Sequence, residues 1–167
     1  MRNAALRCGL VAALLSFSAT ADDTLVTFKS LAPDVALEMA QASLDSCRSE
    51  GFQVTVAVVD RMGVVQVLLR DRFAGAHTPG SASRKASTAV SFRADTLSLA
   101  ENTGPQSEHS GARHIDGVLM LGGGIPVMAS GSVVAGIGVA GAPTSTDDHA
   151  CAQAGIDAVI AKLELAD

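Results

Sequence analysis

The chain has 167 residues, of which 48% are apolar, 17% charged and 3% aromatic, and this length is typical of a single domain with a sizeable core. Twelve basic and seventeen acidic residues give a formal net charge of −5, and the five aromatic residues are all Phe. This charge repels a phosphate backbone, and Trp and Tyr for base stacking are missing, so the composition excludes a nucleic-acid partner.

The N-terminus has the layout of a secretory signal peptide. Arg2 and Arg7 precede an apolar stretch at residues 9–17, and Ala19-Thr20-Ala21 follows as an A-x-A cleavage site. A membrane span needs about 20 apolar residues, so this stretch is too short, and no later stretch competes for that role. The sequence therefore predicts a signal peptide at residues 1–21, one domain at residues 22–167, and a periplasmic or secreted location.

A helix and a hairpin are predicted after a short extended segment at residues 24–29. Pro33 opens the helix, an apolar stripe recurs at spacings of three and four, and Gly51 stops it. The run at residues 52–60, the turn at 61–63 and the run at 64–70 predict an antiparallel hairpin.

Cys47 lies on this first helix and Cys151 on the last predicted helix. Export places both in an oxidising compartment, where they would pair if the two helices share one face of the sheet. Their Cα atoms would then lie within about 7 Å. The alternative is two small buried thiols.

The second half of the chain alternates between helical and extended patterns. Residues 83–100 predict one helix or two joined ones, and residues 117–121 predict a strand. A sharp glycine bend at 122–126 precedes a short strand at 127–129 and a long one at 132–140. Ser145 and Asp148 resemble a capping box that opens the last helix, which runs to Leu163.

Residues 136–141 satisfy G-x-G-x-x-G, the dinucleotide fingerprint, which requires a strand before the glycines and a helix immediately after them. Here the glycines lie inside an alternating strand, with bulky residues on one face and small ones on the other. The flat face of Gly136, Gly138 and Ala140 predicts a closely packed helix or a planar ligand.

Four segments carry distinctive motifs: residues 56–60 with Gly63, residues 82–89 with Phe92, the bend at 122–126, and residues 131–141 leading to Asp148 and Cys151. Together they resemble the GlcG/HbpS-like family. The resemblance runs from about Leu31 to the C-terminus. It implies a single α+β domain, an α/β/α sandwich with a mainly antiparallel five-stranded sheet covered by helices, and homo-oligomeric assembly. The fold would be similar to the haem-binding C-terminal domain of some corrinoid adenosyltransferases.

The resemblance implies an exported haem-binding protein. Other members accompany glycolate and alcohol oxidation, so the alternative is a periplasmic auxiliary protein or enzyme acting on a small hydroxy- or oxo-acid. The chain has no C-x-x-C-H, so haem would bind non-covalently. No catalytic set can be assigned from spacing.

Imidazole is a usual axial ligand of haem iron, and His77 and His114 each flank a motif shared with the family. The alternative for both is an ordinary loop histidine. His109 and His149 are expected on the surface.

Lys85 is a long cation among small side chains, where it would neutralise a haem propionate or a substrate carboxylate, or else lie in solvent with its stem over Ala residues. The bend at Gly122, Gly123 and Gly124 would offer backbone N–H groups to an anion. We therefore expect the ligand site between His77-Thr78, the Lys85 helix and the bend, which ends with Ile125 and Pro126.

Overall fold

The computed structural model describes residues 24–166, and these form a three-layer α/β/α sandwich. In chain order the elements are α1 (Pro33–Ser49), β1 (Thr55–Asp60), β2 (Val65–Arg70), α2 (Thr78–Phe92), α3 (Thr96–Asn102), a 3₁₀ turn (Ser110–His114), β3 (Gly124–Ala129), β4 (Ser132–Ala140) and α4 (Ser145–Glu164). The strands pair antiparallel in the order β2-β1-β4-β3. The predicted α+β sandwich is confirmed, whereas the signal peptide predicted at residues 1–21 lies outside the described residues.

Helices α1 and α4 pack together on one face of the sheet and enclose the main core. The bulky side of β4, with Ile137 and Val139, faces this core, as period two predicts. A disulfide joins Cys47 on α1 to Cys151 on α4, with 5.5 Å between the two Cα atoms. Of the two alternatives that the sequence left open for these cysteines, the structure has the disulfide between helices on one face of the sheet.

Helix α2 covers the opposite, flat face of the sheet. A Cβ on Gly138 would lie 2.7 Å from the Ala86 backbone nitrogen, and one on Gly136 would lie 2.8 Å from the Ala86 oxygen. The missing side chains therefore let the helix backbone approach the strand directly, which is the closely packed helix that the flat face predicts. The glycines lie inside β4 and not between a strand and a helix, so the dinucleotide fingerprint is not formed.

The expected five-stranded sheet is corrected to four strands within residues 24–166. The strand predicted at 117–121 does not form, because α2 side chains bind its backbone groups. Arg84 donates to the carbonyls of Gly117 and Val118, and the Thr88 hydroxyl accepts from the Leu119 N–H. The segment at 24–29, predicted as extended, does not join the sheet, and the Leu31 N–H just beyond it donates to the Val134 carbonyl of β4.

Three element boundaries also differ from the predictions. The helical pattern at 83–100 forms two helices, which is one of the two predicted alternatives, but α2 begins earlier than predicted, at Thr78. Strand β3 begins inside the glycine bend, at Gly124. The cap of α4 is Thr144 with Asp147, one residue before the predicted Ser145 and Asp148. Asp148 is not free to cap because its carboxylate points into the protein.

Candidate functional site

A buried ion pair joins α2 to α4. The Lys85 ammonium donates to Asp148 Oδ2 at 2.7 Å and to the Val139 carbonyl at 2.9 Å, and only 1% of Lys85 is exposed. An ammonium has three N–H donors, so one donor remains after these two bonds. Lys85 is therefore not the solvated surface residue that the sequence left open as one alternative, and its charge is already paired with Asp148.

Asp148, predicted to cap the last helix, is instead the buried partner of Lys85. Its Oδ1 accepts from the Ala142 N–H at 2.9 Å, and its Oδ2 accepts from Lys85. Burial raises the pKa of the Asp148 carboxyl above its usual value, and the hydrogen bonds from Lys85 and Ala142 oppose that shift. A signal was present in the sequence, because Asp148 lies on the same helical stripe as Cys151 and Ala152 and so faces inward.

A cleft of about 300 Å³ opens at the N-terminal end of α2, and we call it the histidine cleft. Its lining contains His77, Thr78, Lys85 and Asp148, together with Leu121 and the β4–α4 connection. It combines an imidazole and the buried ion pair with apolar surface, since Leu121 is exposed. The usual ligand sites are mostly apolar concavities with a few convergent polar groups, and this cleft has the polar groups with a smaller share of apolar surface.

His77 lies at the rim of this cleft, and its imidazole rests against Gly75. A Cβ on Gly75 would lie 2.7 Å from the ring Cε1, so this position accepts the ring only because it is glycine. The neighbouring Thr78 is buried, and its hydroxyl is 2.7 Å from both the Thr55 hydroxyl and the Gly75 carbonyl. Thr78 thus fixes the start of α2 beneath His77.

The glycine bend lies behind Lys85 and not in the lining of the cleft. A Cβ on Gly123 would be 3.1 Å from Lys85 Nζ, and one on Gly124 would be 2.7 Å from the Lys85 carbonyl carbon. The Gly124 N–H donates to the Thr96 hydroxyl at 2.7 Å. The bend therefore brings the backbone close to Lys85, and its Gly124 N–H is not available to an anion.

The remaining predicted residues of this region do not line the cleft. Gly122 is buried against Leu97 and Ser145, Ile125 packs into the core with α1 and α4, and Pro126 lies in β3. The structure thus groups His77, Thr78 and Lys85 at one site and leaves the second half of the bend within the sheet.

The other three histidines do not line the histidine cleft. His114 is exposed in the 3₁₀ turn, and His109 is exposed beside Glu108. His149 is half-buried, and its Nδ1 has no hydrogen-bond partner in the described part of the chain. No group of three or more His, Cys, Asp or Glu side chains within residues 24–166 is arranged to hold a metal ion.

None of the helices described within residues 24–166 is long and apolar enough to cross a membrane.

The model of a family described as haem degrading protein HbpS-like matches residues 31–157. No curated protein sequence matches the chain. A crystal structure of a double mutant of Streptomyces reticuli HbpS is 39% identical, with a TM-score of 0.77, and the match covers 91% of this chain and 97% of that one.

Two further structures resemble the chain more distantly. The complex of PduOC with haem is 27% identical, with a TM-score of 0.73, over 77% of this chain and 94% of that one. Klebsiella pneumoniae protein ORFY is 24% identical, with a TM-score of 0.79, over 83% and 96% of the two chains, and shows likeness of fold alone.

Proposed function

Because the chain belongs to the HbpS-like family of haem-degrading proteins, we propose that it is an exported protein that binds haem non-covalently in the histidine cleft. The relative crystallised as a haem complex supports haem as the ligand. The observation that carries the location is His77, since it is the one histidine in residues 24–166 that lines the cleft beside Lys85.

The side chains around the cleft fit the chemistry of haem. His77 would hold the iron, because its imidazole forms no internal hydrogen bond among the described residues and faces a half-apolar concavity. The remaining N–H of Lys85 would donate to a propionate, and Leu121 would contact the ring. When bound, haem supplies a redox-active iron, and the protein's part is to ligate and orient it.

The size of the cleft favours a site shared between copies of the chain. Clefts that enclose a drug-sized ligand run from about 300 to 1,000 Å³, and this one has about 300 Å³. It would therefore hold one edge of a porphyrin, and a second copy would cover the rest. Homo-oligomeric assembly is accordingly part of the proposal.

The ion pair disfavours the alternative, a small hydroxy- or oxo-acid bound by Lys85. Asp148 already neutralises the Lys85 ammonium at 2.7 Å, so a small carboxylate would find no net positive charge there. A haem gains most of its contact from its ring and needs only one polar partner at a propionate. The geometry thus favours haem.

Titration of the mature protein with haemin tests the proposal. We expect a saturable Soret shift that His77→Ala abolishes or moves, while His114→Ala, which alters an exposed histidine outside the cleft, leaves it unchanged. Gly75→Ala should also change the spectrum with little loss of stability, because the new methyl displaces only a surface imidazole. An unchanged spectrum in both His77→Ala and Gly75→Ala would overturn His77 as the ligand.

Export is supported by the disulfide, since such bonds persist in oxidising compartments. We expect the intact mass of the periplasmic or secreted protein to correspond to a chain that starts at Asp22. A mass that retains residues 1–21 would contradict export by cleavage.

A further inference from the structure

A second and larger cleft, of about 620 Å³, lies at the C-terminal end of α2, and we call it the arginine cleft. It is bounded by the β1–β2 turn, the β3–β4 turn and the last turns of α2, with Arg61 and Arg93 in its lining. We propose that it binds an organic anion, a carboxylate attached to an apolar aromatic or aliphatic body. This inference does not rest on the haem proposal, because none of its residues belongs to the histidine cleft.

The charge of the cleft points to an anion. Neither Arg61 nor Arg93 forms an ion pair within residues 24–166, and no carboxylate lines the cleft, although the chain as a whole is acidic. The carboxylate adjacent in sequence, Asp60, is committed to the hairpin turn, where its Oδ1 accepts from the Met62 and Val64 N–H groups. Arg61 and Arg93 therefore bring two cations without a carboxylate partner in the described residues to the lining of one concavity, and guanidinium matches carboxylate geometry.

Local structure orients the Arg61 guanidinium and sets the backbone conformation of Arg93. The Arg61 guanidinium lies 4.4 Å from the centroid of the Phe28 ring, a cation–π contact that orients it. Arg93 follows α2 in the left-handed conformation, with φ of 53°, at the position where helices usually have glycine. A side chain in that conformation costs about 1 kcal/mol or more, and strained residues of this kind cluster at ligand sites.

The rest of the lining identifies the anion as organic. Val90, Val133 and the thioethers of Met62 and Met128 supply apolar surface, which an inorganic ion would leave unused. The Ser87 hydroxyl donates to the Gly63 carbonyl at 3.0 Å and so fastens the β1–β2 turn to α2. The cleft therefore combines apolar side chains with two cations, and the hydrogen bond from Ser87 holds the β1–β2 turn in place. This combination fits a ligand with an apolar body and an anionic end.

Fluorescence titration with 1-pyrenebutyrate, with 1-pyrenebutanol as the uncharged probe, tests this proposal. We expect saturable binding of the acid, at least tenfold weaker binding of the alcohol, and at least tenfold weaker binding of the acid by the Arg61→Gln/Arg93→Gln double variant. Arg72→Gln is the matched control, because Arg72 stacks on Phe73 outside the cleft, and it should bind as the parent does. Equal binding of acid and alcohol, or unchanged binding by the double variant, would overturn the proposal.

Arg93→Gly separates a binding role from a structural one. Glycine adopts the left-handed conformation of position 93 without steric strain, so the variant should melt at a higher temperature than the parent. It should also bind 1-pyrenebutyrate more weakly, because it lacks the guanidinium. Binding as tight as that of the parent would remove Arg93 from the site.

Haemin distinguishes this proposal from the haem proposal. His77→Ala should bind 1-pyrenebutyrate normally, and the double arginine variant should bind haemin normally, because the two clefts share no lining residue. Loss of haemin binding in the arginine variant alone would make the arginine cleft the haem site and overturn a separate anion site. Normal haemin binding with loss of 1-pyrenebutyrate would support both.

Discussion

Removing one partner of the Lys85–Asp148 pair should destabilise the protein more than removing both. Lys85→Met keeps the volume of the side chain but leaves the buried Asp148 carboxylate with the Ala142 N–H as its remaining hydrogen bond. Breaking a buried pair in this way costs about 3–5 kcal/mol, a large part of the 5–15 kcal/mol that typically holds a domain together. The disulfide stays intact in this variant, so we expect a folded protein of reduced stability.

Lys85→Met/Asp148→Asn should recover most of that loss. The amide side chain introduced at position 148 keeps an oxygen for the Ala142 N–H and removes the uncompensated charge, so only a neutral group is buried. Urea unfolding of the parent, both single variants and the double variant forms a double-mutant cycle. A double variant no more stable than Lys85→Met would refute the claim that an unpaired carboxylate causes the loss.

The deficit of Lys85→Met should shrink as the solution is acidified. Burial raises the pKa of Asp148 in the folded protein, so ionisation costs folding free energy above that pKa, and the cost disappears as the pH falls through it. Lys85 opposes the rise, so its removal moves the pKa further up and makes relief begin at a higher pH. Repeating the unfolding at about pH 7 and about pH 5 measures this effect, and a deficit that grows on acidification would refute it.

Three further outcomes are expected. Replacing both disulfide cysteines by Ala should cost up to about 4–5 kcal/mol in urea unfolding, because the bridge joins residues 104 positions apart in the sequence; a loss below about 1 kcal/mol would contradict the chain-entropy account. Gly138→Ala should displace α2 and lower the melting temperature sharply, whereas Gly80→Ala, with open space at its Cβ, should not. Burial raises the pKa of Asp95, but hydrogen bonds from Ser98 outweigh it and the net pKa is lowered. Asp95→Ala should therefore lower the free energy of unfolding by about 1 kcal/mol near neutral pH. This loss should vanish as the pH falls through the lowered pKa of Asp95 in the folded protein, and a loss that persists in acid would contradict it.

The sequence predicted the layers of the fold because burial imposes a period on each element. In β4, the alternation of residues along the strand correctly separated the bulky face from the glycine face. On α1, the apolar stripe placed Cys47 on the buried face of the helix, which packs against α4. The pattern gave a wrong prediction at residues 117–121, where a short apolar run of the length of a strand does not form one. Hydrogen bonds from Arg84 and Thr88 decide that segment, and long-range side-chain contacts leave no local pattern in the sequence.

The site was predicted less completely, because its chemistry depends on pairs that meet across the fold. The sequence placed His77, Thr78 and Lys85 together, and the structure brings all three to one cleft. It did not predict Asp148 as the partner of Lys85, since 63 residues separate them. The arginine cleft was missed for the same reason, because its two arginines come from a hairpin turn and a helix end that only the folded sheet brings together.

The flat face of β4 and the buried ion pair have a common cause. With side chains at Gly136 and Gly138, α2 would stand farther from the sheet, and the Lys85 ammonium would lose its 2.9 Å bond to the Val139 carbonyl on the same strand. Asp148 depends on α4 in turn, and the disulfide one helical turn further on, at Cys151, fixes α4 against α1. The glycines thus bring Lys85 to the sheet, and the disulfide holds the helix that carries Asp148. The contacts that pack helices onto both faces of the sheet therefore also build the histidine cleft.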